Sequence, residues 1–311
     1  MRAGRAGVVG CLRENQMTIL SIGEVLWDLF PTGAHLGGAP FNFAASCARL
    51  GHAALFLSAV GDDDWGVRAI DGIRAAAVST DFVQHVSKAP TGAVQVEFDK
   101  DGQPDYTIQR PAAYDFLNVD ERVIGELAGR QPGLIYFGTL SQIYENNRRA
   151  VNAIVQEFPK ALKFYDVNLR RNSYSLALFQ ELFPIANIVK VNEAETVTIQ
   201  ELFQTNEKTL EQFCRAYAAR YGWRGVCVTR GSAGSSLLLD GSFVEVAGFP
   251  VQAEHPVGAG DAFSAAFCHG ISQHWTAAQV GEFANRVGAV VASRPEAVSD
   301  WTIEDCYALT R

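Results

Sequence analysis

Short hydrophobic blocks alternate with longer mixed stretches for most of the chain. TILSIG around Ile19, AALFLSAV at 53 to 60, LIYFG at 134 to 138, KFYDVN at 163 to 168, IVKVN at 188 to 192 and VCVTRG at 226 to 231 are nearly continuous apolar runs. Runs of this length read as strands buried on both faces. Residues 41 to 50, 262 to 272 and 277 to 292 instead carry apolar side chains at three and four spacing, the period of a helix with one buried face. Strand and helix patterns in succession predict βαβ units, a mainly parallel sheet and the α/β class. One region breaks this rhythm. TGAVQVEFDKDGQPDYTI, 91 to 108, alternates with period two on both sides of the turn signal Asp101-Gly102. With strand candidates at Val25 to Phe30 and after Asp81, it predicts a small separate sheet, read either as a lid over a cleft or as a plain edge hairpin.

At 311 residues the chain suits one large α/β domain with a small appendage. Hydrophobic residues make up 48% and charged residues 19%, and no apolar run approaches the roughly 18 residues of a membrane span, so a membrane partner is not expected. A formal net charge of −8 speaks against a nucleic-acid partner, because backbone binding needs clustered Lys and Arg. The six cysteines form no CxxC pair and no metal-ligand spacing, and they are expected as buried thiols of a cytoplasmic protein. Residues 1 to 16 have too short an apolar part for a secretory signal and are expected as a disordered extension, with the folded domain spanning 17 to 311.

The strongest local chemistry lies in PVGAGDAFSAAF, 256 to 267. Gly258, Ala259 and Gly260 allow close backbone approach, and a helix starting near Ala262 would aim free N–H groups at an anion. Asp261 beside that cradle is either an N-cap or a base positioned for an attacking hydroxyl. The chain has no GxxxxGK[ST] loop and no early GxGxxG, which removes the P-loop class and weakens a dinucleotide-dependent oxidoreductase. LGGAPFNFA places Gly37, Gly38 and Asn42 at a helix mouth. Together with Asp28 they supply the mixed donors and acceptors that a neutral polyol needs, although Asn42 alone reads equally as a cap. In DVNLRRN the alternation of Asp166, Asn168 and Arg170 would put three polar side chains on one face at a strand's C-terminal end. Arg170 there either faces phosphate or pairs with Asp166. Asn192 and Glu195 in NEAE read as a Mg²⁺-facing pair or as a helix capping pair.

GEVLWDLFP, LGGAPFNFA, VGDDDWG, DVNLRR, VNEAE, VTRGSAG and GAGDAF occur in the order and spacing of the ribokinase-like, or PfkB, carbohydrate kinases, and the chain resembles that family from Thr18 to Asp300. The resemblance implies a three-layer α/β sandwich with a mainly parallel central sheet and a β-lid formed by about residues 25 to 42 and 81 to 110. It implies ATP and Mg²⁺ as cofactors, a small sugar as acceptor, and a homodimer through the lid as seen in relatives. Asp261 then matches the catalytic base, and Gly258, Ala259 and Gly260 the anion hole. Arg170 matches a phosphate- or sugar-facing cation. Asp28, Gly38 and Asn42 match sugar-binding positions, with Asp166 and Asn168 beside them. Asn192 and Glu195 match the NxxE pair that organises Mg²⁺, through water, and phosphate. Thr229, Gly231 and Gly234 match the nucleotide loop, and Asn285 falls where the base is flanked. GEVLWDLFPTG, LGGAPFNFA and YTIQRPAAYDF look most like the fructokinase branch; another sugar such as ribose or 2-keto-3-deoxygluconate, a nucleoside, or a silent sensor of the same fold are the alternatives. Two departures touch the monovalent-cation site of many relatives: His255-Pro256 stands where they have Asp-Thr, and Glu296 where they commonly carry Gly. They predict a weak need for K⁺, with His255 in its place either as a hydrogen-bonding strut or, when protonated, as a cation paired with Glu296; the alternative is that backbone carbonyls still hold the ion and His255 points to solvent.

Overall fold

A computed structural model describes residues 15–30, 33–98, 104–252 and 257–311. The described strands are β1 (Thr18–Ile22), β2 (Leu26–Phe30), β3 (Gly33–Gly37), β4 (Ala53–Gly61), β5 (Val83–Val86), β6 (Gly92–Phe98), β7 (Pro104–Ile108), β8 (Leu134–Gly138), β9 (Leu162–Asp166), β10 (Ile188–Asn192), β11 (Gly225–Thr229), β12 (Ser235–Leu239) and β13 (Ser242–Val246). The helices that matter for the site are α1 (Ala39–Arg49), α2 (Asp64–Ala75), α3 (Glu121–Arg130), α4 (Glu145–Glu157), α5 (Leu176–Leu182), α6 (Glu193–Phe203), α7 (Leu210–Tyr221), α8 (Ala259–Ser272) and α9 (Ala277–Ala292).

All six hydrophobic runs form strands of one nine-stranded sheet, ordered β13-β12-β11-β10-β9-β8-β1-β4-β5. Pairing is parallel from β11 through to β5 and antiparallel only at β11–β12 and β12–β13. The central strands carry apolar side chains on both faces because helices cover both. One core layer joins Leu20, Ile22, Phe137, Tyr165 and Val189 to Phe179 of α5, Phe183 just after it and Tyr217 of α7. The opposite layer joins Ile19, Tyr136 and Phe164 to Phe43 and Cys47 of α1 and Phe267 of α8. The five described cysteines are buried free thiols, as expected. No helix of the described residues is long and apolar enough to cross a membrane.

The period-two region joins a second sheet, ordered β3-β2-β6-β7, in which β2 pairs parallel to β6 and antiparallel to β3. It is therefore a separate sheet rather than an edge hairpin of the large one. The strand after Asp81 does not belong to it: β5 pairs with β4, Ser58 opposite Val83, at the edge of the large sheet. Its four residues lack the length to leave that edge, and the chain enters the small sheet only at Gly92. Likewise residues 39 to 42 open α1 and are not part of the small sheet. The Asp101-Gly102 turn and residues 1 to 14 lie outside the described residues.

Candidate active site

The site forms where α1 and α8 bring their N-terminal ends to the C-terminal edge of the large sheet, the side on which open α/β sheets bind ligands. Ser21 of β1 donates its hydroxyl to Pro40 O at 2.7 Å and fixes the start of α1. Gly38 caps that helix at φ +109, with the Glu24 carbonyl 2.6 Å from where a Cβ would sit, so only glycine fits this turn.

Gly258, at φ +81, is the N-cap of α8, and the first helical bond runs from Ala262 N to Gly258 O at 2.9 Å. The N–H groups of Ala259, Gly260 and Asp261 precede that bond and have no intrahelical acceptor, which makes the cradle expected from the glycines. Ala297 Cβ lies 2.5 Å from the position of a Cβ on Gly258, so the loop after α9 holds this turn in place.

Asp261 stands inside the first turn of α8, three residues past the cap, and the N-cap reading is thereby excluded. Only 7% of it is exposed. Its Oδ2 accepts from Asn42 Nδ2 at 2.9 Å, a contact between residues 219 positions apart. Burial, reinforced by the nearby negative Asp166, pushes its carboxyl up to about 6 against the opposing pull of Asn42, Lys190 and Arg170. Asn42 does not cap α1, which has no side-chain cap, so the capping alternative fails here too.

Asp166 departs from its expected role. It is fully buried, 3.1 Å from Lys190 Nζ, and accepts from Tyr136 Oη at 3.2 Å and Ser264 Oγ at 3.0 Å. Those three donors engage both of its carboxylate oxygens within the protein. The expected common face of Asp166, Asn168 and Arg170 is also absent, because β9 ends at Asp166 and Asn168 turns left-handed at φ 38. Asn168 Oδ1 instead accepts from Arg170 Nη1 at 2.8 Å. Arg170 is exposed, and its charge stabilises the ionised forms of Glu24, Asp28 and Asp261, so it overlooks all three carboxylates rather than pairing with Asp166.

Lys190, missed by sequence reasoning, lies beneath the cradle, with its Nζ 3.2 Å from a Cβ position on Gly260. Burial opposes its charge, but Asp166, Glu195 and Asp261 outweigh that and hold it protonated. Glu24 was missed as well; burial pushes its carboxyl up to about 7. The only sequence signal for either was a charged residue inside or just after an apolar strand. Asp28, facing His35 across β2–β3, is raised to about 6 by burial against the attraction of Arg170 and His35.

Asn192 and Glu195 form a reciprocal capping box on α6: Glu195 N donates to Asn192 Oδ1 at 2.9 Å and Asn192 N to Glu195 Oε2 at 2.8 Å. Glu195 Oε1 also accepts from Leu169 N at 2.7 Å. Both carboxylate oxygens thus accept from backbone donors, so the capping reading of the pair holds and any Mg²⁺ would be met through water; the described residues hold no group of three or more His, Cys, Asp or Glu suited to a metal ion. Thr229 ends β11, and Gly231 and Gly234 follow at φ 56 and φ 100. Asn285 donates to Val246 O and Ala247 O at 3.2 and 3.3 Å, so its amide braces the exit of β13. His255 and Pro256 lie outside the described residues, and the expected His255–Glu296 pairing with them; Glu296 itself sits 3.5 Å from Nδ1 of His35 on the small sheet.

The pfkB family carbohydrate kinase pattern matches residues 28–304. The chain belongs to that family. This carbohydrate kinase is 29% identical to fructokinase-1 of Oryza sativa subsp. japonica over 307 residues, covering 90% of this chain and 93% of the rice protein. Its fold is similar to an uncharacterized sugar kinase from Pyrococcus horikoshii solved with ATP, at a TM-score of 0.77 and 25% identity, covering 92% and 96% of the two chains. It is also similar, at a TM-score of 0.81 and 23% identity, to a fructokinase double mutant from Vibrio cholerae O395 solved with fructose, ADP and potassium ion, covering 95% and 99%. The ribokinase-like sandwich expected from the sequence is the fold observed, and the kinase assignment of the motifs stands with it.

Proposed function

We propose that this kinase transfers the γ-phosphoryl group of ATP to a hydroxyl of fructose, with Asp261 as the general base. The observation that carries the reading is the buried Asp261 carboxylate, fixed by Asn42 one turn inside a helix whose N-terminal N–H groups are free. The sugar is held by Asp28 and the Gly38 turn, and one of its hydroxyls gives its proton to Asp261 as its oxygen forms a bond to Pγ. The bond from Pγ to the bridging β-oxygen breaks, and ADP carries that electron pair away. The N–H groups of Ala259, Gly260 and Asp261, with Arg170 above and Lys190 below, face the charge that develops on the transferring group. Thr229, Gly231 and Gly234 would line the nucleotide, and Asn192 with Glu195 would hold the waters of Mg²⁺, which supplies further positive charge when bound.

Support for fructose comes from the rice relative's name and from the three raised carboxyls on the sugar side, which suit a ligand rich in neutral hydroxyls. The test follows ADP release from ATP and Mg²⁺ with fructose, ribose, 2-keto-3-deoxygluconate and a nucleoside. Fructose is expected to give the highest kcat/KM. A preference for another acceptor by tenfold or more would reassign the substrate, and no turnover with any would point to a silent sensor of the same fold.

A further inference from the structure

Glu24 takes no part in the steps above, yet it is the most unusual charged group of the site. It lies two residues beyond β1, 4% exposed, with its carbonyl pressed against the Gly38 turn. Its Oε2 is buried and has no hydrogen-bond partner among the described residues. Arg170, Arg110 and Asp261 all act on its charge, so the carboxyl lies within electrostatic reach of the base and of the exposed Arg170.

Arg110 does not neutralise it by contact. Its guanidinium is engaged by both oxygens of Asp115 and by Leu140 O. Tyr114, fully buried, feels the charges of Glu24 and Arg110, and its hydroxyl likewise has no partner among the described residues. Asn42 Oδ1, beside the base, is a further buried polar atom without a partner and, like Glu24 Oε2, can only accept, whereas the Tyr114 hydroxyl can also donate. Native proteins seldom leave such atoms unpaired, because each forfeits its hydration and regains nothing. What this wall lacks is hydrogen-bond donors that arrive with a ligand. A polyol supplies them; a phosphate, which only accepts, does not.

We infer that Glu24 is a specificity-determining residue of this sugar site, taking through Oε2 the hydrogen of a substrate hydroxyl other than the one phosphorylated. The inference rests on the proposed sugar-kinase reading and adds to it a residue of the GEVLWDLFP motif that the matched sugar-binding positions Asp28, Gly38 and Asn42 leave without a role. The competing account is a trapped water bridging Glu24 and Tyr114, with no substrate contact.

The two accounts separate with fructose analogues each lacking one hydroxyl, assayed on wild type, Glu24→Ala and the near-isosteric Glu24→Gln. In wild type, removal of the hydroxyl that meets Glu24 should lower kcat/KM about 10- to 100-fold, as expected for a hydrogen bond to a charged group. In Glu24→Ala the same deletion should cost less than about twofold, while the other deletions keep their wild-type penalties and ATP KM is unmoved. Glu24→Gln keeps an acceptor oxygen but loses the charge, so if the alanine variant does not fold, the same deletion should cost about three- to tenfold less in Glu24→Gln than in wild type. Identical penalties for every analogue in wild type and variants would overturn the inference and leave the water. A wild type inactive on all sugars would overturn the underlying reading, a distinct result, and the inference with it.

Discussion

Asp261 and Asn42 act as one unit, and this changes what their substitutions should do. Asp261→Asn keeps the shape but cannot take a proton, so kcat should fall on the order of 10² to 10⁴ while ATP binding, followed by calorimetry, is retained. The base must be ionised, and its value is raised to about 6, so kcat/KM should climb as pH rises through about 6 and level off above it. A flat profile between pH 5 and 7 would remove it from the rate equation. Asp28→Ala should act mainly on sugar KM, since Asp28 lies on β2 of the small sheet, away from the base. Asn42→Ala should lower kcat as well as raise sugar KM, because the lost amide both frees Asp261 to rotate and removes a bond that favours its ionised form. Lys190→Met would strand the fully buried Asp166 beneath the cradle, and loss of one partner of a buried pair costs about 3 to 5 kcal/mol. Chemical denaturation measures it.

Which residues were legible follows from where their partners lie in the chain. Asp261, Gly258 and Gly38 announce themselves because their roles are set by immediate neighbours: a glycine at positive φ, a helix starting next to it. Asp166 was read as substrate-facing because its donors, Tyr136, Lys190 and Ser264, sit 30, 24 and 98 residues away. Lys190 and Glu24 were missed for the same reason: a lone charge in an apolar run gains meaning only when the sheet has brought its counterpart alongside.

Among the elements, α1 and α8 are tied at both ends. Near their starts Asn42 meets Asp261; at their other ends Nε2 of His52, just past α1, lies 3.0 Å from Nδ1 of His269 in the last turn of α8. Met17 N donates to His52 Nδ1, so Nε2 of His52 carries the proton and donates it to His269. Burial lowers both histidines to about 4. The unfolded chain therefore binds protons between about pH 6.5 and 4 that the folded chain refuses, and this contribution to stability is full above 6.5 and fades as pH falls. Glu24, Asp28 and Asp261, raised to about 7, 6 and 6, work in the opposite sense, with a contribution present at low pH and lost as pH rises through those values. Replacement of His52 by Gln should cost several degrees of Tm at pH 8, and the deficit should shrink as pH drops from 6.5 to 4. A deficit independent of pH would mean that the pair is not buried neutral.

The turn before α8 yields two further expectations. Gly258→Ala meets both a positive φ and Ala297 at 2.5 Å, so activity should drop by at least about tenfold with a smaller loss of melting temperature. If the resemblance holds at this loop, His255-Pro256 and Glu296 take the place of a carboxylate that many relatives offer K⁺, and rates in K⁺-free and Na⁺-free buffer should then match those with K⁺ added at constant ionic strength. Many-fold activation over a tetramethylammonium control would contradict this, and His255→Asp should create such activation.

At the scale of the molecule, the α/β class, the parallel sheet and the separate small sheet were all readable, because a two-residue period and a 3.6-residue period survive in the sequence whatever packs against them. Membership of β5 was not. A four-residue strand has too little pattern to choose between two sheets, and only β4, with a free edge at Ser58 to Gly61, decides it. Strand order also escapes the pattern: β1, the first element described, ends up between β8 and β4 in the middle of the large sheet.

The pairing of α1 with α8 also has a consequence in time. The two ties span 219 and 217 residues, so at about 5 to 20 residues per second the ribosome needs roughly 10 to 45 s to deliver the partner of a helix it has already made. Throughout that interval Phe43, Cys47 and Leu50 present the face that α8 later covers. A nascent chain halted before residue 259 should therefore bind a hydrophobic dye and co-sediment with trigger-type chaperones, whereas one released at full length should do neither. The catalytic centre, in this light, is completed only late in the protein's own synthesis.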